Sequence, residues 1–200
     1  MLAALTAGLL TGLSLIVAIG AQNAHVLRQG LARDHVGTVV AICALSDVVL
    51  IVAGVAGIGT VVEEARWALE VVRWVGVAFL LWYAVGALRR ARTAESLRAE
   101  GGGRRTVRGL VGLTVALTWL NPHVYLDTVL LLGTVANQHG PVDRWWFAVG
   151  ASMASVAWFG ALGYGARLLG PLLARPRAWQ VLDVLIGVTM LAVAAGLAFG

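Results

Sequence analysis

Lysine is absent from this 200-residue chain, and all fifteen basic residues are arginine. Acids number only ten, and charged residues make up 12% of the sequence against 60% apolar. A soluble domain carries about 25% charged and 45–50% apolar residues, so the shortage of charge excludes an ordinary water-soluble fold. The single cysteine, Cys43, excludes an internal disulfide and the thiol pair of a membrane redox carrier. It reads as a small core residue. Without lysine there is no G-x-x-x-x-G-K-[ST] phosphate loop, so ATP cannot drive this chain directly. No H-E-x-x-H motif or nucleophile elbow is present, which argues against an intramembrane enzyme. Proline is scarce, and of Pro122, Pro141, Pro171 and Pro176 only Pro122 falls well inside a hydrophobic run.

What remains is hydrophobic. The mean hydropathy is +0.85, and six segments are long enough to cross a bilayer, for which about 20 apolar residues suffice. They are 2–22, 36–61, 69–88, 109–136, 145–169 and 179–199. The first is not expected to be a cleaved signal peptide, because no basic residue precedes Arg28. Twelve arginines fall between segments one and two, three and four, and five and six; only Arg66, Arg73 and Arg144 fall on the other side. Arginine-rich loops stay cytoplasmic, so both termini are expected outside. The net charge of +5 is thus a topology signal and a contact for anionic lipid, and calls for no nucleic acid.

Residues 91–108 form the one linker, with Gly101-Gly102-Gly103 between charge clusters. They separate two three-span repeats, 1–90 and 109–200. An odd number of spans per half makes the halves inverted, an arrangement common in secondary transporters with broken helices. A shift of 98 residues lays Asn23, His25 and Val26 on Asn121, His123 and Val124. The expected fold is therefore an all-α integral membrane protein of six transmembrane helices. It comprises two inverted three-helix repeats, with a broken helix in each.

The break in the fourth segment carries the chemistry. Proline lacks a backbone donor and is favoured at the first position of a helix. Asn121 is therefore expected to cap a half-helix beginning at Pro122, its positive dipole end inside the membrane. His123 and Asp127, four apart, share one face of it. Such a terminus can hold a carboxylate while Asp127 holds a cation, and an amino acid carries both groups. The bland alternative is a proline kink used for packing. Asp47 is a second acid about 18 Å deep in its span at 1.5 Å per residue. Buried acids in membranes are paired, face water or are protonated, so it either pairs structurally with an arginine or binds substrate or a coupling proton.

Weaker candidates are Gln22, Asn23 and His25. Gln22 and Asn23 would line the path or satisfy backbone freed around Gly20, and His25 would relay protons or sit at the interface. Asp183 reads as a solvated or capping acid near a span end, and Glu63, Glu64 and Glu70 as loop charges. Trp67, Trp74, Trp145, Trp146 and Trp179 cluster near span ends as an aromatic belt. Gly8 and Gly12, and Gly54, Gly57 and Gly59, offer small faces for close helix packing.

The run Gly20-Ala21-Gln22-Asn23-Ala24-His25-Val26-Leu27-Arg28-Gln29-Gly30-Leu31 resembles the first-helix signature of the LysE/ArgO-type basic amino-acid exporters. Leu120-Asn121-Pro122-His123-Val124-Tyr125-Leu126-Asp127-Thr128 resembles their second signature, and Asp47 and the Gly54–Gly59 run stand where that family places theirs. The first helix lacks the Pro-Gly-Pro of the related homoserine/threonine exporters. His25 stands where the family pattern has an aromatic residue, which leaves lysine against arginine open. The resemblance covers essentially the whole chain. It implies export of L-arginine, L-lysine or analogues such as canavanine across the bacterial cytoplasmic membrane by a multi-pass carrier. The implied substrate-binding and translocation residues are Asn23, Asp47, Asn121, Pro122, His123 and Asp127, with Gln22 and His25 secondary.

Moving a cation outward against an inside-negative potential costs about 2.3 kcal/mol per 100 mV. Proton antiport is the simplest supply, with Asp47 and Asp127 able to exchange a proton for a cationic side chain. The expected partners are a cationic amino acid, protons and membrane lipids, with homo-oligomer formation left open and no cofactor or resident metal. The alternative is a divalent-metal or other small-molecule exporter using Asp47, Asp127, His25 and His123 as ligands.

Overall fold

The computed structural model describes residues 1–17, 20–57, 66–92, 106–169 and 176–199, and among them every regular element is helical. In chain order these are α1 (Leu2–Ile16), α2 (Ala21–Ala32), α3 (Val36–Val55), α4 (Arg66–Arg92), α5 (Val107–Trp119) and α6 (Pro122–Val124). A π-helical turn, Tyr125–Leu131, joins α6 to α7 (Leu132–Asn137). α8 (Gly140–Gly165) ends in a 3-10 turn, Ala166–Leu169, and α9 (Pro176–Phe199) closes the chain. Most of the 91–108 linker, Glu63, Glu64, Gly59 and Pro171 lie outside the described residues.

Among the described residues, four stretches are long and apolar enough to cross a membrane: Val36–Val55, Glu70–Arg92, Gly140–Leu168 and Trp179–Phe199. They match the second, third, fifth and sixth expected segments. α1 and α2, with axes 83° apart, make a fifth if counted as one bent span. This count of four to five differs from the expected six for a physical reason at each break. In the first segment, 2–22, α1 stops at Ile16 and polar residues begin α2. In the fourth, α5 has only 13 residues, about 20 Å at 1.5 Å per residue, against a hydrocarbon core of about 30 Å.

Packing is built on small residues, as lipid demands where water supplies no drive between helices. α1 lies along α8, and α4 along α9, in the two most extensive helix pairs. A Cβ on Gly12 would stand 3.1 Å from the Ala151 Cα, and one on Gly150 would stand 2.8 Å from the Leu9 nitrogen. α3 crosses the π-helical turn and α7 just as closely: a Cβ on Gly54 would lie 2.6 Å from the Val129 carbonyl oxygen, and one on Gly133 2.6 Å from the Gly54 oxygen. Gly57 is a different case from the packing glycine expected. Its φ of +93° ends α3 in a left-handed turn that glycine adopts without strain. Cys43 is fully buried against Val26, Val39, Leu110 and Phe159, the core role expected of it.

Asp183 departs from the sequence reading. It is 2% exposed, and its carboxylate is paired with Arg28 of α2 and, at 3.5 Å, with Arg90 of α4. An acid near a span end can be solvated only if no neighbouring helix covers it, and here α2 and α4 do.

Candidate translocation site

A cavity of about 290 Å³ lies where both broken segments meet α3 and α8. Six of the sequence candidates line it: Gln22, Asn23, Asp47, Asn121, His123 and Asp127. Residues up to 105 positions apart in sequence are thus brought to one space by two helix breaks and the Gly54–Gly133 crossing.

Each break is stitched by an asparagine. Asn23 donates from Nδ2 to the Ile16 carbonyl at 2.7 Å, taking up an oxygen that α1 leaves free at its end, and its Oδ1 accepts from the Trp158 indole at 3.2 Å. Asn121 accepts the His123 backbone N–H on Oδ1 at 3.2 Å, the side-chain capping its composition favours. Exposed backbone groups are expensive in lipid, so these bonds let two helices stop inside the membrane. Beyond Asn121 the chain restarts at Pro122, and the Tyr125 hydroxyl reaches back to the Trp119 carbonyl at 2.9 Å across the break. The Trp119 indole in turn donates to Ser46 at 3.0 Å, fastening the break to α3 one residue from Asp47.

Asp47 is 4% exposed and accepts from the Ser155 hydroxyl of α8 at 2.9 Å. No arginine pairs with it among the described residues, so the structural ion pair weighed for it is not the arrangement found. Asp127 reaches the cavity from the π-helical turn, half-buried. π-helical turns are rare and concentrate at functional sites; this one widens the helix beneath His123 and Asp127. His123 is exposed where it lines the cavity, and Thr128 beside it turns its hydroxyl onto the Val124 carbonyl. Gln22 Nε2 is buried without a hydrogen-bond partner among the described residues.

Pro122 opens α6 at the backbone break. One candidate is placed differently. His25 lies outside the cavity, 1% exposed, with Nε2 3.1 Å from the Thr114 hydroxyl of α5. The four-ligand set of the metal-exporter alternative is therefore not assembled, and among the described residues no three His, Cys, Asp or Glu side chains come together as a metal site. Sequence reasoning missed Ser155, Ser46 and Trp158. A serine or tryptophan in an apolar helix carries no signal of which acid or asparagine it will meet.

Apolar helices wrapped around a polar, acid-lined cavity between helix breaks define a multi-pass membrane transporter. The comparisons with known proteins agree. The chain belongs to the LysE type translocator family, whose model matches residues 13–200. It is 39% identical over 220 residues to the lysine exporter LysE of Corynebacterium diphtheriae, covering 96% of each chain. It is 43% identical over 199 residues to the arginine exporter protein ArgO of Yersinia enterocolitica, covering 99% of this chain and 97% of that one. The ArgO of Salmonella schwarzengrund is 40% identical over 192 residues, covering 96% and 91%. No solved structure matches the chain. The protein is a multi-pass bacterial membrane transporter, and not an enzyme.

Proposed function

We propose that this protein exports basic L-amino acids, arginine, lysine or close analogues, from the cytoplasm in exchange for protons. The observation that carries the reading is the charge of the cavity: Asp47 and Asp127 line it, and among the described residues no arginine does. A cavity with two carboxylates and no resident cation asks for cations from its ligand. A basic amino acid supplies two, its α-ammonium and its side chain. Its α-carboxylate finds donors in the His123 imidazole and the Asn121 side-chain amide, which line the cavity. A volume of about 290 Å³ stands at the small end of ligand pockets, roughly 300–1,000 Å³, as a single amino acid requires. The names of the relatives, lysine exporter and arginine exporter, point the same way.

The carrier alternates access by moving two inverted three-span repeats against each other. Supporting this, a twofold exchange of first with fourth, second with fifth and third with sixth segments relates the main contacts. It turns the α1–α8 packing into the packing of α5–α7 on α3, and returns α4–α9 and α3–α8 to themselves. An asparagine follows each break at the corresponding place, Asn23 and Asn121.

The test is counterflow of radiolabelled arginine, lysine and leucine in proteoliposomes of the purified protein. Arginine or lysine counterflow without leucine counterflow is expected. Flux of divalent cations with no amino-acid flux would return the metal-exporter alternative.

A further inference from the structure

A second hollow, of about 350 Å³, lies where the end of α2, the start of α3 and the end of α8 converge. Gly30, Arg33, Val36, Gly163, Tyr164 and Arg167 line it. Its floor is backbone: Gly30 packs onto the Gly163 carbonyl, and a Cβ on Gly163 would stand 2.6 Å from Val40 Cγ2. Neither Arg33 nor Arg167 has an ion-pair partner among the described residues. The nearest acid in sequence, Asp34, stands 3.6 Å from the His35 ring instead. The hollow therefore keeps two uncompensated guanidiniums.

Two further features set it apart from an ordinary basic loop. Arg33 caps α2 with φ +54°, a left-handed conformation that glycine or asparagine adopts far more readily than arginine. Capping alone does not call for a guanidinium there. Beside Arg167, Tyr164 and Leu168, one turn apart, are 48% and 78% exposed. An aromatic and an aliphatic side chain next to arginines form the boundary pattern of headgroup and acyl chain.

We propose that this hollow binds the phosphate of an anionic phospholipid, Arg33 and Arg167 gripping its oxygens while an acyl chain lies along Tyr164 and Leu168. The planar guanidinium fork suits phosphate oxygens, and the arginine asymmetry puts this end at the cytoplasmic leaflet, where anionic lipid attracts basic residues. The site lies away from the acid-lined cavity and stands whatever substrate that cavity takes.

The test uses the full-length protein in neutral detergent, titrated with phosphatidylglycerol, phosphatidylcholine or inorganic phosphate, with retained lipid read by native mass spectrometry and thermal midpoint recorded. Phosphatidylglycerol should be retained in preference to phosphatidylcholine. Arg33→Gly fits the left-handed backbone and should keep the fold, while weakening phosphatidylglycerol binding about fivefold, equivalent to about 1 kcal/mol per basic residue. Arg167→Gln should weaken it by a similar factor. Equal retention of the two lipids by the unmodified protein, or undiminished phosphatidylglycerol retention in both variants, would overturn the proposal. So would a thermal shift with inorganic phosphate alone as large as with the lipid, which would mark a free-anion site. Arg33→Gly carries the test by itself if Arg167→Gln does not fold.

Discussion

Asp183 of α9 is buried against Arg28 of α2, and the pair ties the second half of the first broken segment to the last helix. Arg90 of α4 joins from the other side, so one carboxylate holds three elements on the arginine-rich side of the cavity. Removing one partner of a buried pair costs about 3–5 kcal/mol, because the other charge is left uncompensated. Asp183→Asn should therefore lower the thermal midpoint of the solubilised protein markedly, and Asp183→Asn with Arg28→Gln should recover part of it. A single variant as stable as the parent would mean that water, not Asp183, satisfies these arginines.

The crossing of α3 with α7 sets a second expectation. A methyl at Gly54 meets the Val129 carbonyl oxygen at 2.6 Å, a backbone atom that cannot swing away, and overpacking typically costs 1–3 kcal/mol. Gly54→Ala should reduce stability and disturb the spacing of Asp47 and Asp127. Gly112→Ala, at a position with nothing within 4 Å, should be silent. Melting curves of both variants decide the point; equal curves would show that the crossing is looser than the packing described.

How legible this was depends on what each residue needs. The break at Asn121-Pro122 was readable because proline removes a donor, whatever surrounds it. Asp47 stood out because an acid in an apolar run has to be answered by something. What answers it, Ser155, lies 108 residues away, and no local pattern encodes that meeting. Asp183 was misread for the same reason: its burial is set by α2 and α4, not by its neighbours in α9. The π-helical turn was invisible because its residues, Tyr125–Leu131, have ordinary helical composition.

Orientation gives a third prediction. With twelve arginines on one side and three on the other, the 91–108 linker should be cytoplasmic. A Gly102→Cys variant in a Cys43→Ala background should resist membrane-impermeant thiol reagents in intact cells and react after permeabilisation. Labelling from outside would reverse the topology.

The break itself can be tested at Pro122. With Pro122→Ala the backbone donor returns, so helix can run on from α5 through Asn121. The Asn121 cap and the Tyr125 bond to Trp119 would then be lost together. Transport should fall strongly while the protein still inserts and purifies. Unchanged Km and Vmax for arginine would return Pro122 to a packing role.

Coupling is the last prediction, and it turns on Asp47. Among the described residues no cation neutralises this carboxylate; it has a hydroxyl donor, Ser155, at 2.9 Å. An empty carrier that returned with a bare buried charge would meet the cost that lipid imposes on isolated ions. A proton on Asp47 removes that cost, and a cationic side chain does so in the loaded state. The two cargoes would thus exclude each other at one site, which is the requirement for exchange. In proteoliposomes with the membrane potential clamped, a pH gradient directed against arginine movement should drive its accumulation. Asp47→Asn keeps the shape and loses the exchangeable proton, so residual transport should no longer respond to the gradient, and selectivity for cationic substrates over leucine should relax. If the gradient changes neither rate nor accumulation in the unmodified protein, proton antiport is wrong, and movement driven by the membrane potential or by a partner takes its place.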